Sequence, residues 1–178
     1  MSNVNNNVST RIIYTPGELI ENTYTNKNYK FKLKYPEEYI VYTGTELDSL
    51  NSDMRKYEAF GQTESNDASL SILTIQSNTK TDPYSYLEEL KNQLIEKNKT
   101  ESTNNKSKYI IIKNEDEYLA ERKFYKLETK ILIDNEYYYQ DYHCSKSSDK
   151  LFCIISIYNE NTKELNNKAI NNIKKISW

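Results

Sequence analysis

Residues 121–158 read ERKFYKLETKILIDNEYYYQDYHCSKSSDKLFCIISIY, and this stretch decides the fold. Asp134-Asn135 has the chemistry of a two-residue hairpin turn between strands at about 121–133 and 136–144. Taken literally, it pairs Ile131 with Tyr138, Leu127 with Tyr142 and Tyr125 with Cys144. A second tight turn at Ser148-Asp149 then sets Cys144 opposite Cys153 and Tyr142 opposite Ile155. Both registers gather Tyr125, Leu127, Ile131, Tyr138, Tyr142, Cys144, Leu151, Cys153, Ile155 and Ile157 on one face. A one-residue slip in either hairpin would destroy that agreement, because side chains alternate strictly along a strand.

Working outward, Tyr29, Phe31, Leu33 and Tyr35 alternate with Lys30, Lys32 and Lys34, which predicts a half-buried strand with one wet face. Pro36 ends it. A strand at about 18–24 precedes it across Asn26-Lys27-Asn28, and 68–76 and 108–113 read as two more. Three helices are predicted by apolar spacing. The first covers about 45–60, with Leu47, Leu50, Met54 and Tyr57 on its stripe and Thr43 or Thr45 as cap. The second has Asp82 as cap and Pro83 in its first turn, and buries Leu87, Leu90 and Leu94 to about residue 97. The third follows Asn161, with Glu164 in a capping box, and carries Leu165, Ala169, Ile173 and Ile176. Lys174 and Lys175 fall at its end, where cations complement the helix dipole.

At 178 residues the chain fits one domain, read as 11–178 behind a polar, Asn-rich lead at 1–10 that is expected to be disordered. Such a lead is also what remains once a signal peptide has been removed. Runs of strands bracket the helices without regular βαβ alternation, so the expected class is α+β, a mainly antiparallel sheet with helices packed on it. Charged residues make up 28% of the chain, interspersed, and the net charge is −2, which speaks against nucleic-acid binding. No apolar run approaches the ~20 residues of a membrane span.

Residues 17–39, GELIENTYTNKNYKFKLKYPEEY, resemble the opening of the PsbP-like domains: a strand, a tight turn, an aromatic-rich strand and a proline leading to a large aromatic. Tyr24, Tyr29, Phe31, Tyr35, Pro36 and Tyr39 fill those places, although the family more often has Trp at the last one. A middle helix, a three-stranded meander and a closing helix continue the likeness over nearly the whole chain. The family includes extrinsic proteins of photosystem II, a Ran-binding branch and bacterial surface lipoproteins, and the sequence looks most similar to the lipoproteins of low-GC Gram-positive bacteria. The resemblance implies an α/β/α sandwich and no shared catalytic residues, and no cofactor is expected. It also implies an extracytoplasmic protein at the cell surface, touching the membrane only through an N-terminal lipid anchor that is absent here or removed.

Candidate chemistry is sparse. Cys144 and Cys153 face each other across antiparallel strands, as a disulfide or as two buried thiols. His143, the single histidine, falls on the opposite face near Asp141, Tyr139 and Phe152, where it could serve a hydrolase-type enzyme as a base beside Asp141. Phe124, Tyr137, Tyr139, His143, Phe152 and Tyr158 make that second face apolar enough to need a cover. One of the protein's own helices is the expected cover, and a binding face for a partner or an apolar ligand carried against Phe152 and Tyr139 is the alternative. The run Asn114-Glu115-Asp116-Glu117 reads as an acidic turn without the spacing or glycine of a calcium loop, so no metal site is expected. Glycine-rich phosphate loops and nucleophile elbows are missing from a chain with 3 glycines. These readings converge on a non-catalytic, monomeric binding or accessory protein for a protein or cell-envelope partner, with a cytoplasmic binding protein as the rival.

Overall fold

The computed structural model describes residues 16–76, 82–100, 108–133, 135–147 and 150–176. The predicted lead at 1–10 and the turn residues Asp134, Ser148 and Asp149 lie outside them. Eleven strands and two α-helices follow in the order β1 (Glu18–Ile20), β2 (Thr23–Asn26), β3 (Phe31–Lys34), β4 (Tyr39–Thr43), β5 (Arg55–Thr63), β6 (Ala68–Ile75), α1 (Pro83–Thr100), β7 (Tyr109–Leu119), β8 (Arg122–Ile133), β9 (Glu136–Ser147), β10 (Lys150–Asn159), α2 (Lys163–Asn171) and β11 (Ile173–Lys175). The strands form a seven-stranded sheet in the order β4-β5-β6-β10-β9-β8-β7 and a four-stranded sheet in the order β1-β2-β3-β11.

Both C-terminal hairpins take the registers read from the sequence. Ile131 faces Tyr138, Leu127 faces Tyr142 and Tyr125 faces Cys144 across β8 and β9. Cys144 faces Cys153 and Tyr142 faces Ile155 across β9 and β10. The helix α1 forms where predicted. Asp82 caps it, with Oδ1 accepting from the Ser85 N–H at 3.1 Å. It lays Leu87 and Leu90 over Leu127, Cys144, Leu151 and Cys153.

Four elements differ from expectation. The strand expected at about 18–24 is two, β1 and β2, which pair antiparallel across a turn at Glu21-Asn22 where Glu21 has a φ of 51°. The helix predicted at 45–60 is only a 3-10 turn over Gly44–Leu50, and the chain then enters β5. Its cause is local and tertiary together. Asn51, Ser52 and Asp53 break the helix, and β5 gains a full ladder against β6 on one side and β4 on the other. Leu47 is buried, whereas Met54 is 61% exposed. The last helix starts after Thr162 and stops at Asn171. Beyond it Ile173, Lys174 and Lys175 pair with Leu33, Lys32 and Phe31, because the open edge of β3 offers a ladder that a terminal helical turn lacks. The acidic run at 114–117 is not a turn but part of β7, which reaches Leu119. The turn itself is Ala120-Glu121, with φ of 51° and 61° as a type I′ hairpin demands.

The cover of the second face is the four-stranded sheet together with α2, not a helix alone. Phe152 is fully buried there, 4.3 Å from the Tyr29 ring and 5.7 Å from Phe31, with Phe124 edge-on at 5.6 Å. Aromatic contacts of this kind add about 0.5–1.5 kcal/mol each beyond the area they bury. Gly61 in β5 lets the sheets approach: a β-carbon there would stand 2.6 Å from the Tyr35 ring.

Candidate functional site

The six residues expected to form a binding face do not form one surface. Phe124, His143, Phe152 and Tyr158 are buried, and only Tyr137 and Tyr139 reach the surface. The physical reason is the aromatic stack just described. Tyr29 and Phe31 fill the space against Phe152 that an apolar ligand would need. Tyr139 stacks on Tyr158 at 5.3 Å, and its hydroxyl donates to Glu160.

Where the aromatic contacts give out, the same sheet face carries charge. Alternation on β8 and β9 directs Lys126, Glu128, Asp141 and His143 to this side. Glu117 reaches them from β7, opposite Phe124. The His143 Nδ1–H donates to Glu117 Oε1. Lys126 Nζ lies 3.4 Å from Asp141 Oδ2 and 3.1 Å from Glu128, and the Tyr158 hydroxyl donates to Asp141 Oδ2 at 3.2 Å.

These pairings set the ionisation of the group. Burial works to raise Glu117, but its bond to His143 and the charges of His143 and Lys126 outweigh burial and hold the carboxyl below its ordinary value. Glu117 is therefore an acceptor, which places the Nδ1 proton on His143. For Asp141 burial wins over Lys126 and His143, and the carboxyl is raised. Burial lowers Lys126 less than the carboxylates of Asp141, Glu128 and Glu117 raise it, and the ammonium is stabilised.

The sequence places His143 beside Asp141. The structure brings Ser156 to this face, directly opposite Asp141 and two pairs along from His143. Its signal was available in the second hairpin register, which pairs 156 with 141 once Cys144 meets Cys153. The orienting carboxylate, Glu117, was hidden because the strand was expected to stop at 113. A histidine with Nδ1 held by a carboxylate is a base oriented for proton transfer at Nε2. Here His143 is 2% exposed and Ser156 0%, and neither His143 Nε2, Asp141 Oδ1 nor Ser156 Oγ has a hydrogen-bond partner. The group is closed to substrate in this structure.

On the opposite face Cys144 and Cys153 form a disulfide with Cα atoms 4.2 Å apart, fully buried beneath α1. Two open grooves, of about 630 and 660 Å³, share Glu37 and Glu38, and none of the predicted site residues lines either. Among the described residues no group of three or more His, Cys, Asp and Glu side chains could hold a metal ion, and no helix is long and apolar enough to cross a membrane.

No family model matches the sequence. Nor does any curated protein match it. Solved structures do. Cyanobacterial PsbP (CyanoP) from Synechocystis aligns with a TM-score of 0.56 at 14% identity, over 86% of this chain and 91% of its own. LpqN, involved in cell envelope biogenesis of Mycobacterium tuberculosis, aligns with a TM-score of 0.51 at 9% identity, over 83% of each chain. At these identities the likeness is one of fold. The chain has the PsbP-like α+β fold, a mainly antiparallel architecture with few helices.

Proposed function

We propose that this chain is a non-catalytic accessory or binding protein that works outside the cytoplasm, at the cell surface, on a protein or cell-envelope partner. The observation that carries the reading is the Cys144–Cys153 disulfide in the core. A buried structural disulfide requires an oxidising compartment during folding and persists there, whereas cytosolic thiols are kept reduced. The shared fold with LpqN, a protein of envelope biogenesis, supports the same direction, as does the resemblance of the sequence to the surface lipoproteins among the PsbP-like domains. The closure of His143 and Ser156 favours binding over catalysis.

Protease treatment of intact cells of the source organism, after removal of the wall, tests the compartment. The protein is expected to be degraded while a cytoplasmic marker survives. Protection of both would contradict the proposal.

A further inference from the structure

We propose that the outer face of the four-stranded sheet is an electrostatic docking face for an anionic lipid membrane surface. The inner face of this sheet, with Tyr24, Phe31, Leu33 and Ile173, is buried in the core. Alternation therefore turns Lys32 and Lys34 of β3 and Lys174 of β11 outward, and Lys30 is exposed where β3 begins. Lys32 and Lys174 stand directly opposite each other in the ladder. Like charges in that position destabilise a sheet.

Several lysines elsewhere are paired. Lys91 has Glu88, Lys113 has Glu115, Lys123 has Asp116 and Lys175 has Glu121. Among the described residues Lys30, Lys32, Lys34 and Lys174 have no carboxylate within ion-pair distance, although Lys34 shares a groove with Glu37 and Glu38; of the strand residues on this face the acidic one is Glu18, on the far strand opposite Thr25. A chain of net charge −2 thus concentrates unpaired positive charge on one sheet face and accepts a repulsive cross-strand pair to do so. Broken local rules without local compensation mark functional surfaces.

The kind of anion follows from the face. It is a sheet surface of lysines, which act as separate point charges, and among the described residues it has no arginine fork to grip a single phosphate or carboxylate. That arrangement suits a plane of negative charge. Ile20, 71% exposed, lies on the same face, since Thr23 pairs with both Ile20 and Lys34. An apolar side chain beside lysines fits the headgroup boundary of a bilayer, where it enters the interface while the ammonium groups stay with the phosphates. A soluble polyanion gives Ile20 no such place. The inference does not depend on the compartment proposed above.

The test is co-sedimentation of the whole chain with mixed phosphatidylglycerol–phosphatidylcholine vesicles and with phosphatidylcholine alone, with Lys32→Glu and Lys113→Glu as variants. Binding is expected only to the anionic vesicles and is expected to fall as salt shortens the Debye length. Lys32→Glu should weaken it at least about five-fold, at about one lysine's worth of surface attraction, while Lys113→Glu, of equal net charge, should not. Because Lys32→Glu replaces a like-charge pair with an opposite pair, its melting temperature should rise, so weaker binding cannot be put down to unfolding. Equal effects of the two variants, failure of the native chain to bind anionic vesicles, or binding to soluble polyphosphate but not to vesicles would each overturn the proposal.

Discussion

Under α1 the seven-stranded sheet presents Leu127, Cys144, Leu151 and Cys153; under the four-stranded sheet it presents Phe124, Phe152, Ile154 and Tyr158, and beside them Lys126, Asp141 and His143. A helix covers a narrow stripe, and the stripe beneath α1 is aliphatic and pinned by a disulfide. A second sheet covers a wider area, and stacked aromatic rings fill it. At the rim of that area the chain buries charge, and the charge is held by cross-pairing among Glu117, His143, Lys126 and Asp141. The comparison teaches that one face supplies permanence and the other supplies the groups through which pH acts on stability.

The largest expected effect attacks the aromatic side. Phe152→Ala should cost about 3–5 kcal/mol in denaturant unfolding, because the site it empties is lined by three rings that cannot collapse together. A loss below about 1 kcal/mol would mean that the four-stranded sheet does not rest on this residue. Next comes the helix side. Replacing both cysteines by alanine opens a loop whose ends are 9 residues apart, and the loop-entropy relation puts the loss at about 2.5 kcal/mol. An unchanged unfolding midpoint would show that the bond contributes nothing to the sealing of that face.

The smallest effect concerns pH and sharpens the contrast. Glu117 is held below its ordinary value of 4.5. Its contribution to stability is therefore present above that value and is lost as pH falls through the lower folded one. Asp141 is raised and works in the opposite sense, since its ionisation opposes folding. In Glu117→Gln the acid limb of the stability curve should flatten, whereas an alanine exchange of the cysteine pair should leave its shape unchanged. A Glu117→Gln curve parallel to the native one would remove the His143–Glu117 pair from the account.

Much of this contrast was legible in the sequence, for reasons that particular residues make clear. The alternation around Asp134-Asn135 and between Cys144 and Cys153 constrains register because a slip of one residue moves a whole face. Lys30, Lys32 and Lys34 marked β3 in the same way, and Asp82-Pro83 marked the start of α1. What covers each face was not legible. The four-stranded sheet joins β3 to β11, so Ile173 and Leu33 meet across 140 positions of sequence, which no local pattern encodes. The Ala120-Glu121 turn lacks the glycine or asparagine that announces positive φ, so β7 was cut short and Glu117 was missed as the partner of His143. The helix expected at 45–60 failed because apolar spacing alone cannot rank a 3.6-residue stripe against a strand that completes two ladders.

The central claim is that the two hairpins fix Cys144 against Cys153 and that the pair is oxidised where the protein works. Thiol titration of the denatured protein, purified from its own source with free thiols blocked at lysis, tests it most directly when paired with intact mass. Two free thiols only after reduction, in a chain of monomer mass, is the predicted result. Two thiols already free without reductant would contradict the claim and remove the main support for work outside the cytoplasm.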